Sequence, residues 1–130
     1  MTLPPLFMSR PPAQRFLLVG VVPAVFGAIA GVILGVSAPL YWGLQVLAIA
    51  GGFLAGLEHP TAKEAALRGL AGGAVFGAFI LIAHAVAGTD EKVSLGDAPI
   101  FLVVITAVVG AILGALGAKL RARREPAAAA

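Results

Sequence analysis

His84 is the only acidic or basic side chain inside the long apolar stretches of this sequence. A charge is costly within a bilayer, so an ionisable residue there is a candidate for titration, gating or ligand binding. The alternative is a neutral histidine near the membrane surface that bonds to a neighbour and touches headgroup water. Both interpretations of His84 are open at the level of sequence.

Gln45 and Thr106 are the other polar side chains that could act within these stretches. Counting along helices at about 1.5 Å per residue places both within roughly two turns of His84 in depth. We therefore predict an externally open polar pocket in the outer half of the bundle, lined by Gln45, His84 and Thr106. The alternatives are hydrogen bonds between helices and, for Thr106, a bond to its own helix backbone.

Glu58 and His59 are adjacent and could ligate a metal, but zinc sites need three or four ligands. His84 cannot complete the set, since a helix of that length separates it from His59 by roughly 37 Å. The chain has no cysteine, no HExxH motif, no GxxxxGK[ST] motif and no paired carboxylates within its apolar stretches. We therefore expect no catalysis, no metal and no cofactor.

The elements that must position these residues are membrane spans. The chain is 60% hydrophobic and 12% charged, whereas soluble domains are about 45 to 50% apolar and about 25% charged. Its mean hydropathy is +1.03. About 20 apolar residues cross a bilayer as a helix, and Ser37 and Pro39 divide the longest charge-free run with turn chemistry. We predict an all-α integral membrane four-helix bundle, residues 16–119, with spans at about 16–36, 40–57, 67–87 and 98–119.

Eight of the nine Lys and Arg residues fall on one face of this four-span arrangement, and only Lys92 falls on the other. The positive-inside rule therefore places both termini and the 58–68 connection in the cytoplasm. Residues 1–15 are predicted to be a cytoplasmic segment. Residues 120–130 are predicted to be a basic, disordered tail that attracts anionic lipid.

This charge asymmetry reports topology and favours no binding of nucleic acid. The expected location is a bacterial plasma membrane.

Two sequence similarities suggest a duplicated helical hairpin. "PAVFGAIA" at 23–30 resembles "GAVFGAFI" at 73–80, and "APLYWG" at 38–43 resembles "APIFLV" at 98–103. Both hairpins begin on the same side, so the repeat is a parallel one. The alternative is coincidence among Ala, Gly and Val residues, and one sequence leaves both open.

Small residues recur every fourth position in all four spans. Between helices in lipid there is little hydrophobic force, so such faces associate through close backbone approach. These faces lie in the cytoplasmic half of spans two, three and four but in the outer half of span one. We therefore predict a tight cytoplasmic half. The predicted helix-packing glycines are Gly27, Gly31, Gly35, Gly52, Gly56, Gly69, Gly73, Gly77, Gly110 and Gly114, with Ala48 and Ala118 at the same spacing.

Three local features refine this prediction. Pro23 leaves a carbonyl without its usual partner and should kink span one. Thr61 and Glu64 have capping-box spacing, so span three should begin in the cytosol, with Glu64 and Arg68 forming an i,i+4 pair. Tyr41 and Trp42 are of the types that settle at a membrane interface.

The expected function is that of a small noncatalytic multi-pass membrane protein, a structural, scaffold or partner-binding component of the cell envelope. The alternative is an oligomeric channel or transporter for a small solute or ion. Four helices packed through glycine leave little room for a lumen, so transport would need several copies. The expected partners are the lipid bilayer and either a second copy of the chain or an unidentified membrane protein.

Overall fold

Four long helices make up most of the described chain. The computed structural model describes the backbone of residues 3–129 and the side chains of residues 3–125, and the described backbone contains no strand. Helices α1 (Pro12–Leu34), α2 (Ala38–Gly56) and α3 (Ala62–Ala87) are long and apolar enough to cross a membrane, as is Phe101–Glu125 of α4. Helix α4 spans Phe101–Ala129. The predicted all-α four-helix bundle is confirmed, and its apolar helices indicate a multi-pass membrane protein.

Both ends of the described chain lie at the same end of the bundle. The Arg121 guanidinium donates to the carbonyl oxygen of Pro4 at 2.7 Å and to that of Leu57 at 2.6 Å. We call this end, with residues 3–11, the α2–α3 turn and the last turns of α4, the basic end. The opposite end, with residues 35–37 and 88–100, is the loop end.

Helices α2 and α3 each begin with a side-chain cap. The Ser37 hydroxyl oxygen accepts a hydrogen bond from the Leu40 N–H at 3.3 Å. The Thr61 hydroxyl oxygen accepts one from the Glu64 N–H, also at 3.3 Å. Each cap satisfies an N–H group that has no partner within the helix. The predicted break at Ser37 and the predicted helix start at Thr61 are confirmed.

Helix α1 contains a π-helical turn over Leu17–Val21, immediately before Pro23. Proline has no N–H, so the carbonyl of Val19 lacks its usual helical donor. The chain widens here, and the Val22 N–H donates to the carbonyl of Leu17, five residues back. Such wide turns are often found at functional sites. The kink of α1 predicted at Pro23 stays a prediction.

Helix α3 packs closely on α4. A Cβ atom added at Gly69 would overlap the backbone carbonyl oxygen of Gly110, and one at Gly73 would overlap that of Thr106. A Cβ at Gly77 would lie 3.0 Å from the Cα of Val103. Only glycine permits backbones to approach this closely, so these residues form the contact between α3 and α4.

Helix α1 packs on another face of α3, and the two helices run parallel. A Cβ at Gly27 or Gly31 would overlap the carbonyl oxygen of Phe76 or Ile80 respectively. The aromatic rings of Phe26 and Phe76, which are equivalent positions in the predicted repeat, stack with centroids 5.7 Å apart. Helix α3 therefore lies between α1 and α4.

Helix α2 is held mainly by α4, near the basic end. A Cβ at Gly56 would overlap the carbonyl oxygen of Gly114, and one at Gly117 would overlap that of Phe53. Gly52 has looser surroundings, since its Cβ would lie 3.4 Å from the Leu113 side chain. Contacts of α2 with α1 and with α3 are few.

The predicted disordered tail is corrected over its described part. Helix α4 continues through the basic segment to Ala129. The Arg121 side chain is buried, and its Nε donates to the Glu125 carboxylate at 2.6 Å, one helical turn further on. This ion pair and the two hydrogen bonds from Arg121 to backbone carbonyls stabilise the helical conformation of the segment.

The buried core lies toward the loop end. It consists of Ala30, Leu34, Tyr41, Phe76 and Ile80, and Val93 and Leu95 of the 88–100 connection pack against it. The Lys92 N–H donates to the carbonyl of Leu34 at 2.8 Å, which holds this connection over the bundle. Of the two predicted interfacial aromatics, Trp42 is 57% exposed, whereas Tyr41 is only 2% exposed and belongs to the core.

Candidate ligand-binding cavity and arginine cluster

A cavity of about 790 Å³ runs between the four helices. Its wall is mostly apolar and includes the π turn of α1, with Leu18 and Val19, and the side of α3 that carries Gly72. It extends from Leu95 at the loop end to Arg68 at the basic end. The predicted tight packing of the basic half holds among α2, α3 and α4, whose glycines meet there. Beside α1 the cavity continues into this half.

The cavity is partly open to the surface of the bundle. The helix that makes the fewest contacts with its neighbours is α2. Val22 of α1 and Ile49 of α2 line the cavity and are each 48% exposed. In a bilayer this opening faces the acyl chains of lipids.

Two of the three predicted pocket residues line this cavity. They are Gln45 and Thr106, whereas His84 is absent from its wall. The Thr106 hydroxyl donates to the carbonyls of Leu102 at 2.9 Å and Val103 at 3.1 Å, both in its own helix. The Gln45 side-chain nitrogen is buried and has no hydrogen-bond partner among the described residues.

His84 lies in the last turn of α3, where its carbonyl accepts from the N–H of Gly88 at 3.2 Å. Gly88 has a φ of 67°, the left-handed conformation in which glycine commonly ends helices. The His84 ring is partly exposed, and its Nδ1 has no partner among the described residues. The loop end of the cavity is lined instead by Val93 and Leu95, which cover it.

Charged residues line the cavity only at its basic end, where Glu58 and Arg68 contribute to the wall. The Glu58 carboxylate accepts a hydrogen bond from Arg10 Nε at 3.0 Å and lies 3.5 Å from Arg68 Nη1. The side chains of Arg68 and Glu58 are only 10% and 13% exposed. Two guanidinium groups therefore share one carboxylate in a poorly hydrated place, which leaves an excess of positive charge.

Arg68 is held from several directions. Its Nη1 donates to the carbonyl of Ala55 at 3.1 Å, one of the last carbonyls of α2. Its guanidinium carbon lies 4.3 Å from the centre of the Phe7 ring, a cation–π contact. The predicted pair with Glu64 is wrong, because Arg68 turns toward Glu58, Ala55 and Phe7, which together offer more contacts than an exposed carboxylate.

Residues 3–11 form a strap across the basic end. The Phe7 N–H donates to the carbonyl of Glu58 at 2.7 Å, and the Phe7 ring lies 5.2 Å from that of His59, between centroids. Pro4 accepts from Arg121, as described above. Sequence reasoning missed this arrangement. The available signal was the single phenylalanine within a segment that also carries Arg10.

His59 belongs to this cluster. It is 4% exposed, and its Nε2 lies 3.5 Å from Arg68 Nη1. Burial lowers the pKa of His59 below its ordinary value, and the nearby Arg68 charge lowers it further, against the opposing effect of Glu58 and Glu64. A neutral ring can accept a hydrogen bond from Arg68, whereas a protonated ring would repel the guanidinium group.

Arg15 stands apart from these pairs. It lies on α1 one turn before Leu18 and Val19, which line the cavity, and therefore on the same face of the helix. Its Nε is buried without a partner among the described residues. Its only side-chain hydrogen bond there is a 3.5 Å contact with the Met8 sulfur, a weak acceptor. Arg15 is not part of the cavity wall itself, but it adds a guanidinium without a carboxylate one helical turn beyond Leu18 and Val19, on the basic side.

Comparison of the chain with protein-family models, with curated proteins and with solved structures finds no match. A functional proposal for this protein therefore depends on its cavity and charges. The cavity offers a large apolar volume beside lipid. Arg10 and Arg68, which share the Glu58 carboxylate, offer positive charge at one end of that volume.

Proposed function

We propose that this chain is a noncatalytic multi-pass membrane protein that binds an apolar ligand taken from the bilayer. The cavity of about 790 Å³ is the observation that carries the proposal. Sites for small molecules usually have about 300 to 1,000 Å³, with mostly apolar walls and a few polar groups. An apolar cavity of only about 150 Å³ can stay dry and take up benzene. This larger cavity beside lipid is suited to a hydrocarbon chain.

The sequence predicts a structural, scaffold or partner-binding component of the cell envelope. Of these three roles, the proposal takes partner binding and makes the partner an apolar ligand. A conducting pore needs a polar or hydrated path. Here Gln45 and Thr106 provide isolated polar groups within an apolar wall, and Val93 and Leu95 close the loop end. These features favour ligand binding over a channel or transporter.

We also propose that the protein lies in a bacterial plasma membrane with its basic end in the cytoplasm. The support is the distribution of Lys and Arg, eight of which belong to that end and one to the loop end. Reporters active only in the periplasm or only in the cytoplasm, fused to the C-terminus, test the orientation. Activity of the cytoplasmic reporter alone is expected, and activity of the periplasmic one would overturn the orientation.

Ligand binding can be tested with an uncharged diacylglycerol that carries a photoreactive group in its acyl chain. The purified protein is placed in phosphatidylcholine nanodiscs with this probe, irradiated, and mapped by mass spectrometry. We expect labelling at cavity residues such as Gln45 and the buried Phe76 in addition to the exposed, lipid-facing Val108 and Ile112.

The control variants are Gly72→Leu and Gly43→Leu. Gly72 lines the cavity, and its Cβ would meet only the Pro23 side chain, at 3.8 Å, so leucine there occupies cavity space. A Cβ at Gly43 would meet nothing within 4 Å, and Gly43 is not part of the cavity wall. Labelling at Gln45 should disappear in the first variant and persist in the second. Labelling confined to Val108 and Ile112 in the unmodified protein would overturn the proposal.

A further inference from the structure

We propose that the ligand is an anionic membrane lipid, with an acyl chain in the cavity and its phosphate bound near Arg15 at the basic end. This inference rests on the proposed function and adds the chemical class of the ligand. It follows from the uneven distribution of charge along the cavity. The middle of the wall is apolar apart from Gln45 and Thr106. The only charged members of the wall among residues 3–125, Glu58 and Arg68, lie at one end.

The balance of charge at that end selects an anion. Glu58 is shared by Arg10 and Arg68, so these three side chains together keep one positive charge. Arg15 adds a second, and no carboxylate lies within 4 Å of it among the described side chains. Its buried Nε also lacks an acceptor. A phosphate would supply both the missing charge and the missing acceptor.

The chemistry of arginine favours a phosphate in particular. A guanidinium group presents a planar set of donors that matches two phosphate oxygens at once. Arg15 lies one helical turn from Leu18 and Val19, so an acyl chain can continue from a bound phosphate along the cavity-lining face of α1. Basic pockets between membrane helices at the cytoplasmic side commonly bind anionic headgroups.

The basic tail is a less suitable place for the headgroup. Arg121 is buried and occupied by Pro4, Leu57 and Glu125. Arg123 is exposed and distant in sequence from any residue that lines the cavity. It therefore serves as the matched control for Arg15.

The test measures binding of three lipids with identical acyl chains to the purified full-length protein by native mass spectrometry. They are phosphatidylglycerol, which is anionic, phosphatidylcholine, which is zwitterionic, and diacylglycerol, which is uncharged. We expect phosphatidylglycerol to bind about tenfold more tightly than either of the others, as one charge-assisted contact provides. Inorganic phosphate at the same concentration should not displace it, because phosphate has no acyl chain.

Variants at Arg15 locate the headgroup. Arg15→Gln should remove the preference for phosphatidylglycerol and leave diacylglycerol binding unchanged, which also shows that the variant is folded. Arg15→Lys should keep part of the preference, because lysine retains the charge but not the planar donors. Arg123→Gln should leave all three affinities unchanged.

Each other result has a distinct meaning. Equal binding of the three lipids would overturn this inference and leave the proposed function standing. Binding of none of them would overturn both. An equal loss of preference in Arg15→Gln and Arg123→Gln would overturn the assignment to Arg15, as would displacement of the lipid by inorganic phosphate.

Discussion

Helices α3 and α4 form a closed hairpin, whereas α1 and α2 form an open one. In the closed hairpin, the glycines of both helices meet at the same depth, so that Gly69 lies against Gly110 and Gly73 against Thr106. In the open hairpin, α1 and α2 make few contacts, and the central cavity lies between them. The two hairpins nevertheless share the similar segments 23–30 and 73–80.

The difference shows that small residues join two helices only where their depths match. The glycines of α1 at Gly27 and Gly31 lie toward the loop end, whereas those of α2 at Gly52 and Gly56 lie toward the basic end. They cannot meet across the hairpin. Each set contacts another helix instead, α1 on α3 and α2 on α4, and the space left between α1 and α2 belongs to the cavity, which α3 and α4 also line.

The largest expected effect comes from opening the closed hairpin. Gly73→Ile should lower the free energy of unfolding by about 3 kcal/mol, because its side chain must displace the backbone of α4. The measurement is denaturant unfolding in a mild detergent. The neighbouring Gly72→Ile is the matched control and should cause no such loss, since a Cβ there meets only Pro23 at 3.8 Å.

Gly114→Ile should resemble Gly73→Ile, because its Cβ would overlap the carbonyl of Ala65. Gly35→Ile should be milder than both, because the obstacle there is the side chain of Thr89 in the loop-end connection. Equal losses at these three positions would contradict the view that backbone contact holds the closed hairpin.

The second prediction concerns the cluster of Arg10, Glu58 and Arg68, which lies where the two hairpins are connected. Glu58→Gln removes the carboxylate shared by Arg10 and Arg68 and leaves two neighbouring guanidinium groups unneutralised. Loss of one partner from a buried ion pair costs about 3 kcal/mol, and we expect a loss approaching that value. The strap should also become more sensitive to chymotrypsin at Phe7, whose ring packs on Arg68.

Glu64→Gln is the control for this prediction. Its carboxylate is exposed and takes part in no ion pair among the described residues. The sequence-based pairing of Glu64 with Arg68 predicts the opposite order of effects. If Glu64→Gln lowered the free energy of unfolding more than Glu58→Gln, the result would support the pairing of Glu64 with Arg68.

The third prediction concerns closing the open hairpin. Gly72→Leu occupies cavity space, so it should raise the free energy of unfolding of the lipid-free protein by about 1 kcal/mol, as cavity-filling substitutions do. The same denaturant measurement applies, after delipidation. A decrease in stability would mean that the space is needed by the surrounding side chains.

The smallest expected effect is the pH dependence caused by His59. Its pKa is lower in the folded protein than in the unfolded chain, so the unfolded state binds more protons as the pH falls below 6.5. Stability should therefore be constant above that value and should fall as the pH decreases through the folded pKa. Unfolding between about pH 7.5 and about pH 5 measures it.

His59→Gln separates this contribution from that of the other titratable groups. The variant should lose the component of the pH dependence due to the imidazole, while His84 remains in both proteins. An identical pH dependence of stability in the unmodified protein and in His59→Gln would contradict this prediction, because protonation of the His59 ring would then make no contribution.

The sequence by itself determined the features that depend on a single helix. Apolar run length predicted the four spans, and the Ser37 and Thr61 caps involve atoms only three residues apart. The π-helical turn before Pro23 is also local, because the missing N–H is a property of that residue alone. Glycine spacing indicated which faces are small, although it omitted Gly117, which lies against Phe53 of α2.

Only the tertiary structure decided which surfaces meet. Arg68 pairs with Glu58 across a turn rather than with Glu64 along its own helix, because the fold also brings it the Ala55 carbonyl and the Phe7 ring. The cavity likewise depends on the relative depth and rotation of all four helices. A small residue in every turn identifies a small face on one helix. Whether a second small face packs against it depends on how two helices are placed relative to each other. That is why Gln45 and Thr106 share a wall in the folded protein and His84, at a similar depth, does not.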